Sequence, residues 1–293
     1  MSKRVLVVGD VMTDIIVRPD GPLVIGSDRR ARIESKPGGS GANQAVWLGA
    51  AKVDVVFAAR VGAGQKAGHE AHFRALGVTP ALAGDADFDS GTLVTLVDPT
   101  GERSFLTDRG ANLNLCADDL SDALLTGVGL VVISGYSFFA PGPRAAVQSL
   151  LERARERGVG IAIDPASTGF LDEVGPDAFL GWVGAADWLF ANEAEAQLLA
   201  GTDDVEAQLR ALGDQFAHVI IKRGSLGAVL GSKAGVSVSR PARKVDVVDS
   251  TGAGDAFAAG FIARLMAGEA AEACLERGIA NGALAVQKVG GQP

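Results

Sequence analysis

The sequence predicts an α/β fold in which a mostly parallel central sheet is covered by helices on both faces. Short runs, apolar throughout, recur along the 293 residues: Val5–Val8, Val55–Ala58, Leu130–Ile133, Ile161–Ile163, Trp188–Phe190, Val219–Ile221 and Ala228–Leu230. Strands buried on both faces read this way, whereas strands with one wet face alternate. Helix-like stretches fall between many of these runs, as at Ala42–Ala51, Pro143–Arg157 and Val205–Phe216. Strands alternating with helices form parallel sheets through right-handed crossovers. The loops after the strands then gather along one edge, where ligands bind in such sheets.

Taken in order, the first run stops at Gly9-Asp10, and residues 11–36 then break the alternation with Ile15-Ile16-Val17 and the charged run Arg29–Glu34. A second break, residues 88–108, reads as a β-hairpin. Its arms are Ser90–Asp98 and Arg103–Thr107, and its turn is Pro99–Gly101, with Pro-Thr-Gly chemistry. Both breaks read as strands outside the main sheet that form a small lid over the ligand edge; an edge extension of the main sheet is the even alternative. The last clear helix begins near residue 255, where Phe257, Phe261 and Leu265 recur every four residues beside Ala258 and Ile262. With no repeat, low-complexity segment or linker, residues 1–293 read as a single domain.

Composition narrows the function. The chain is 47% hydrophobic and 21% charged, with a net charge of −8 and no basic patch. Nucleic acid and anionic membranes are therefore poor partners. Cys116 and Cys274 stand far apart, which fits a reducing compartment. The apolar run after the basic N-terminus is too short for a signal peptide. The longest uncharged stretch, near Thr126–Pro143, carries several Gly and two Pro and cannot span a membrane. A cytoplasmic, soluble protein is expected.

Chemistry concentrates in four places. Asp249-Ser-Thr-Gly-Ala-Gly-Asp255 leads straight into an apolar helix. The bare turn Gly252-Ala253-Gly254 offers N–H groups at a helix N-terminus, where phosphate binds well. A carboxylate at a phosphate site makes sense as a base that takes a proton from an attacking hydroxyl; an acidic residue near a helix start for electrostatic reasons is the plainer reading. Gly38-Gly39-Ser40-Gly41-Ala42-Asn43 is a second bare helix start, and Asn43 can donate and accept, as a sugar hydroxyl requires. Asn192-Glu193-Ala194-Glu195 follows a strand and suits Mg²⁺ held through water and triphosphate, or simply a capped helix start. Lys222-Arg223-Gly224-Ser225-Leu226-Gly227 suits a nucleotide loop or a hairpin turn. Other patterns fail. Gly62–Gly68 has one residue too many for a dinucleotide fingerprint, so an NAD oxidoreductase lacks support, and no Gly-Lys pair exists for a Walker loop. His69 and His72 have the wrong spacing for zinc and read as exposed helix residues, and His218 has no evident partner.

These motifs, in this order, resemble the ribokinase-like (PfkB) carbohydrate kinase family over nearly the whole chain: Gly9-Asp10…Asp14, Gly38–Asn43, Asn192…Glu195, Lys222…Gly227 and Asp249…Asp255. The resemblance implies a three-layer α/β fold, a mostly parallel central sheet flanked by helices with a small β-lid. It implies an ATP-dependent kinase with Asp255 as general base and Gly252, Ala253 and Gly254 as the anion hole. Asp14, Gly39 and Asn43 match sugar-holding positions. Asn192 and Glu195 match the Mg²⁺ motif, and Lys222, Gly224 and Gly227 match the nucleotide loop. Asp249 matches a residue supporting K⁺, with carbonyls near Val286, Val289 and Gly291 completing that site. Two departures stand out. Gly64 replaces an acidic residue, which implies a lost structural contact, and the ending at Pro293 implies a less enclosed adenine wall and cation site.

The resemblance leaves the acceptor open. A small neutral sugar, pentose or ketohexose, ranks first, with Asp14 and Asn43 pairing its hydroxyls. A nucleoside ranks second, with Phe105, Tyr136, Phe138 and Phe139 as candidates to clamp its base. A 2-keto-3-deoxy sugar acid wants a positioned Arg, which Asp164–Phe170 lacks and which Arg109 is placed to supply. A non-catalytic sugar or nucleotide sensor is the reading from another class, opposed by the intact Asp255. Lid strands such as Arg29–Ser35 leave edges that suit a homodimer.

Overall fold

The computed structural model describes residues 4–98 and 102–293, and the apolar runs noted above all fall in its main sheet. The chain opens with β1 (Arg4–Val8), β2 (Met12–Pro19), β3 (Ala31–Gly38), α1 (Ser40–Ala50), β4 (Val55–Gly62), α2 (Lys66–Ala75), β5 (Thr79–Asp85), β6 (Gly91–Val97) and β7 (Arg103–Asp108). It continues through β8 (Val128–Ser134), α3 (Pro141–Glu156), β9 (Gly160–Asp164), α4 (Thr168–Val174), α5 (Pro176–Val183), β10 (Ala186–Asn192) and α6 (Glu193–Ala200). It ends with α7 (Val205–Leu212), β11 (Phe216–Lys222), β12 (Ala228–Ser232), β13 (Gly235–Arg240), α8 (Ala253–Met266) and α9 (Ala271–Ala285).

Among the described residues the main sheet has nine strands in the order β13-β12-β11-β10-β9-β8-β1-β4-β5. From β11 through β5 the pairing is parallel, and β12 and β13 add an antiparallel edge. Side chains alternate across β1. Val5 and Val7 pack with Phe57, Phe261 and Leu275 on one face, and Leu6 and Val8 with Ile133, Leu150 and Phe179 on the other. That double burial is why these strands lack polar alternation. Gly9 closes β1 where α1 begins. A Cβ there would lie 2.7 Å from Gly41 Cα, so only glycine lets the two backbones meet.

The two interrupting segments form a separate sheet, ordered β3-β2-β6-β7, with β2 and β6 parallel and the outer pairs antiparallel. They are therefore no extension of the main sheet. β3 runs two residues past the expected limit of 36, to Gly38. The expected turn at Pro99–Gly101 lies outside the described residues.

Other boundaries also differ. The stretch Val205–Phe216 is not one helix: α7 ends at Leu212, the Gly213 N–H closes on the Leu209 carbonyl, and Phe216 opens β11. The histidines of α2 are half-buried and bonded, His69 to Ser90 Oγ at 3.1 Å and His72 to Gln292 Oε1 at 2.7 Å. His218 has a partner across the strand, the Trp188 ring stacked 4.1 Å away. Among the described residues, no helix is long and apolar enough to cross a membrane.

Candidate active site

The carboxyl ends of the parallel strands deliver Asp10 after β1, Tyr136 after β8, Asp164 at the end of β9, Asn192 at the end of β10 and Lys222 at the end of β11. Across from them stand the starts of α1 and α8, and the four-stranded sheet, residues 241–247 and α9 supply other parts of the wall. Together they enclose a cavity of about 1000 Å³. It is lined by Asp14, Gly39, Asn43, Asn192, Glu195, Lys222, Gly224, Gly227 and Gly252 through Asp255. Missing from its wall are the buried Asp249 with Val289 and Gly291 of the expected K⁺ site, and Phe105, Phe138 and Phe139 of the candidate base clamp.

Asp255 occupies the first turn of α8 and is held from α1. The Ser40 hydroxyl donates to its Oδ1 at 2.8 Å, the Asn43 amide to its Oδ2 at 3.0 Å, and the Gln44 amide to Oδ1 at 3.4 Å. Its pKa is pushed up to about 7, first by burial and then by the charge of Asp164, against the opposing pull of Asn43, Ser40 and Lys222. The turn before it carries the N–H groups expected of an anion site. Ala253 N–H reaches back to the Ser250 carbonyl at 3.3 Å. Among the described residues, the N–H groups of Gly252, Gly254 and Asp255 meet no acceptor. Gly252 has φ +72°, and a Cβ there would lie 2.4 Å from Gly291 Cα, so the turn demands glycine twice over.

Two buried oxygens in this wall lack partners, Asp14 Oδ1 and Asn43 Oδ1. Buried polar atoms are nearly always satisfied, so orphans in a cavity mark where a polar ligand completes the set. Burial first, then the nearby charges of Asp10 and Asp249, raise the Asp14 pKa to about 6. Asp10 itself accepts from Gly41 N and Ser134 Oγ, both at 3.3 Å.

Lys222 is the hub of the other half. Its Nζ donates to Asp164 Oδ2 at 3.0 Å and stands 3.2 Å from where a Cβ on Gly254 would be, hence beside the bare turn. Burial pulls its ammonium down, but Asp164, Glu195 and Asp255 together outweigh that and hold it above its ordinary value. The segment Lys222–Gly227 is also a hairpin turn, since β11 and β12 pair antiparallel. Asn192 and Glu195 form a reciprocal cap at the start of α6. Asn192 Oδ1 accepts from Glu195 N at 2.9 Å, and Glu195 Oε2 accepts from Asn192 N at 2.8 Å. The cap is formed, and the capping Glu195 also lines the cavity, 2% exposed, its pKa lifted to about 7 chiefly by burial.

The deciding observation is this order of parts along the whole chain, and it recurs in known proteins. The description "pfkB family carbohydrate kinase" matches residues 2–293. The chain belongs to the PfkB family of carbohydrate kinases. An ATP-dependent ribose-1-phosphate kinase of Halopiger xanaduensis is 31% identical over 98% of this chain and 93% of its own. A fructokinase of Klebsiella pneumoniae is 29% identical over 91% and 86%. The crystal structure of a putative ribokinase II from E. coli superposes with a TM-score of 0.87, covering 98% of this chain and 94% of that one, at 24% identity. The protein is thus a PfkB-family kinase, for which ATP is the phosphoryl donor.

Sequence reasoning did not single out Ser40 and Gln44, which hold Asp255, Asp164, which pairs with Lys222, or Arg243 and Lys244, which line the cavity. Ser40 sat inside the Gly-rich cluster, and Asp164 ended an apolar strand run, so a signal existed for both. A Cβ added at Gly64, in the place of the missing acid, would meet nothing within 4 Å, and the neighbouring Gln65 accepts from Ser90 N at 2.6 Å.

Proposed function

We propose that this kinase transfers the γ-phosphoryl group of ATP to a hydroxyl of a small sugar, with Asp255 as general base. The observation that carries the reading is the Asp255 carboxylate. It is clamped by Ser40 and Asn43 beside the unpartnered N–H groups of Gly252 and Gly254, with a pKa of about 7. A base works best when its pKa lies near the working pH. The acceptor hydroxyl gives its proton to Asp255 as it attacks, and the bare turn steadies charge on the transferring group. A sensor would have no use for such a base. The orphaned oxygens of Asp14 and Asn43 suit sugar hydroxyls. The two curated relatives described above are named for sugar substrates, which favours a sugar over a nucleoside. The nucleoside reading keeps its own support: Tyr136 and Phe170 line the cavity edge to face, centroids 5.9 Å apart, and an adenosine kinase of Saccharomyces cerevisiae is 27% identical over 96% of this chain.

Lys222, Gly224 and Gly227 take the nucleotide's phosphate side. Mg²⁺ bound with ATP neutralises phosphate charge. Among the described residues no cluster of three or more His, Cys, Asp or Glu would hold a metal alone. Glu195 on the cavity wall instead suits an ion held mostly by phosphate and water, and Asn192 fixes its carboxylate. Potassium is a different case. Asp249 Oδ1 accepts from Thr251 N at 2.9 Å and Oδ2 from Gly290 N at 3.0 Å. The Val286 carbonyl takes two amides, Val248 and Asp249, and the Gly291 carbonyl takes the Trp47 indole. These hydrogen bonds already tie the loops together, so no cation is needed to close them. We assign the four-stranded sheet the role of a lid that shields the transferring phosphoryl from water.

ADP release from Mg·ATP across a panel of sugars and nucleosides, with an Asp255→Asn control, tests the reading. Acceptor-dependent turnover lost in the variant supports it; turnover on nucleosides alone would reassign the acceptor.

A further inference from the structure

We infer that Trp47 is a positioning residue for phosphoryl transfer: through the Gly291 carbonyl, its indole holds the bare turn Gly252–Gly254 in register with Asp255. This rests on the assignment of that turn as the site of the transferring phosphoryl group, and it adds a residue that lies outside the cavity wall.

One face of α1 sets the geometry. Ser40, Asn43, Gln44 and Trp47 follow one another at steps of three, one and three residues, which puts all four on the same side of the helix. The first three grip the Asp255 carboxylate. One turn further along, the buried Trp47 donates its Nε1–H to the Gly291 carbonyl at 2.8 Å. The Lys288 ammonium lies 5.4 Å from the indole centroid and gives the ring a second attachment. A single helix thus holds both the base and Gly291.

Gly291 is a wedge between the two halves of the site. A Cβ on Gly252 would stand 2.4 Å from Gly291 Cα, and a Cβ on Gly291 would stand 2.4 Å from Asn43 Nδ2. Its backbone therefore packs against both the bare turn and a side chain that holds Asp255. Two ties pin the wedge. Gly290 N–H donates to Asp249 Oδ2 at 3.0 Å while Asp249 Oδ1 accepts from Thr251 N at 2.9 Å, so one carboxylate joins residue 290 to the residue before Gly252. Trp47 supplies the second tie, from α1. The Gly291 carbonyl was an oxygen expected for K⁺, and an N–H of the protein's own now engages it.

The position of the wedge matters for the chemistry. Donors such as the Gly252 and Gly254 N–H groups stabilise an anion only when they are already aimed at it, and about 1 Å of misplacement can cost 10²-fold in rate. Asp255 directly follows Gly254, so any shift of the turn also moves the base. Trp47 acts on a residue that touches both.

The test compares the calorimetric affinity of Mg·AMP-PNP, which brings a γ-phosphoryl group to the turn, with that of Mg·ADP, which does not. Trp47→Phe keeps a ring and removes the N–H. It should weaken AMP-PNP roughly three- to tenfold, the worth of one neutral hydrogen bond, and leave ADP within about twofold. With the acceptor that the ADP-release panel identifies, kcat/KM for ATP should fall at least as far. Gly291→Ala leaves Trp47 in place but drives a methyl group against the Asn43 amide, and should show the same selective loss. The double variant should be little worse than either single one, because both act through one contact. Leu48→Ala opens a cavity in the core beside Trp47, so it should lower the melting temperature and leave the ratio of the two affinities unchanged. If Trp47→Phe does not fold, Gly291→Ala against Leu48→Ala carries the comparison. Equal weakening of both nucleotides, weakening of neither, or the same selective loss in Leu48→Ala would overturn the inference, while nucleotide binding by the wild type leaves the kinase reading standing. Absence of AMP-PNP binding by the wild type would count against the kinase reading itself, and the inference would fall with it.

Discussion

Asp255→Asn separates base chemistry from binding better than any other substitution, because the site accommodates the amide. Asp255 accepts three donors, from Ser40, Asn43 and Gln44. An asparagine keeps one accepting oxygen and turns the other position into a donor. If the oxygen faces Ser40, the new amide faces Asn43, whose own Oδ1 is without a partner and can swing round to accept. The cost to folding is then one rearranged hydrogen bond, about 1 kcal/mol. The cost to turnover is the whole base. General-base catalysis is worth ~10²–10⁴-fold, about 2.7–5.4 kcal/mol of barrier at 1.36 kcal/mol per decade. The prediction is a kcat lowered at least 10²-fold, sugar affinity within about threefold of wild type, and a melting temperature within a few degrees. Coupled ADP release, calorimetry and thermal denaturation read these three quantities. Turnover within tenfold of wild type would refute the reasoning that Asp255 takes the proton. Collapse of all three quantities together would show that the residue is structural.

Three further outcomes follow. Deprotonated Asp255 is the active form and its pKa is raised to about 7, so kcat/KM should climb as pH rises through that value; Glu195 titrates near the same pH, so the inflection belongs to the pair. A profile already flat above pH 5 would contradict the burial argument. Lys222→Met strips the cation that faces Asp255, Asp164 and Glu195, so the inflection should move to higher pH. Breaking a buried ion pair should also cost about 3–5 kcal/mol in denaturant melts, and an unmoved inflection would show that Lys222 does not tune the base. Replacing K⁺ by N-methylglucamine should change the rate less than about threefold, because the oxygens near Asp249 already accept internal donors; a larger fall would show that a cation displaces them.

How far the sequence reached depends on what kind of information each feature carries. Main-sheet strands such as β1 and β8 were legible because burial on both faces strips them of polar residues. The edge strands were not. β5 holds Pro80 and small residues, which an edge tolerates, and β13 is Gly-Val-Ser-Val-Ser-Arg, half-wet and too polar to stand out. The turn at Gly252–Gly254 was legible because its backbone demands glycine within three consecutive positions. What grips Asp255 was hidden, since Ser40 and Gln44 lie 215 and 211 residues away in sequence.

The same distinction explains why the acceptor was harder to read than the reaction. Phosphoryl transfer uses backbone N–H groups and one carboxylate, and those requirements fall in one short segment. Acceptor recognition uses side chains whose proximity is made by topology. Asp14 and Thr107 share one row, with Leu93 between them, only because β6 enters between β2 and β7, and Asn112 reaches back 101 residues to Val11. In the sequence Arg109 was one arginine where a lid rejoins the core. In the fold it lines the same cavity as Asp14 and donates to the Tyr136 carbonyl. A lone arginine in a chain says little about a ligand. An arginine that lines the same cavity as Asp14, its backbone tied through Asn112 to Val11, is one whose bearing on a ligand only the fold makes visible.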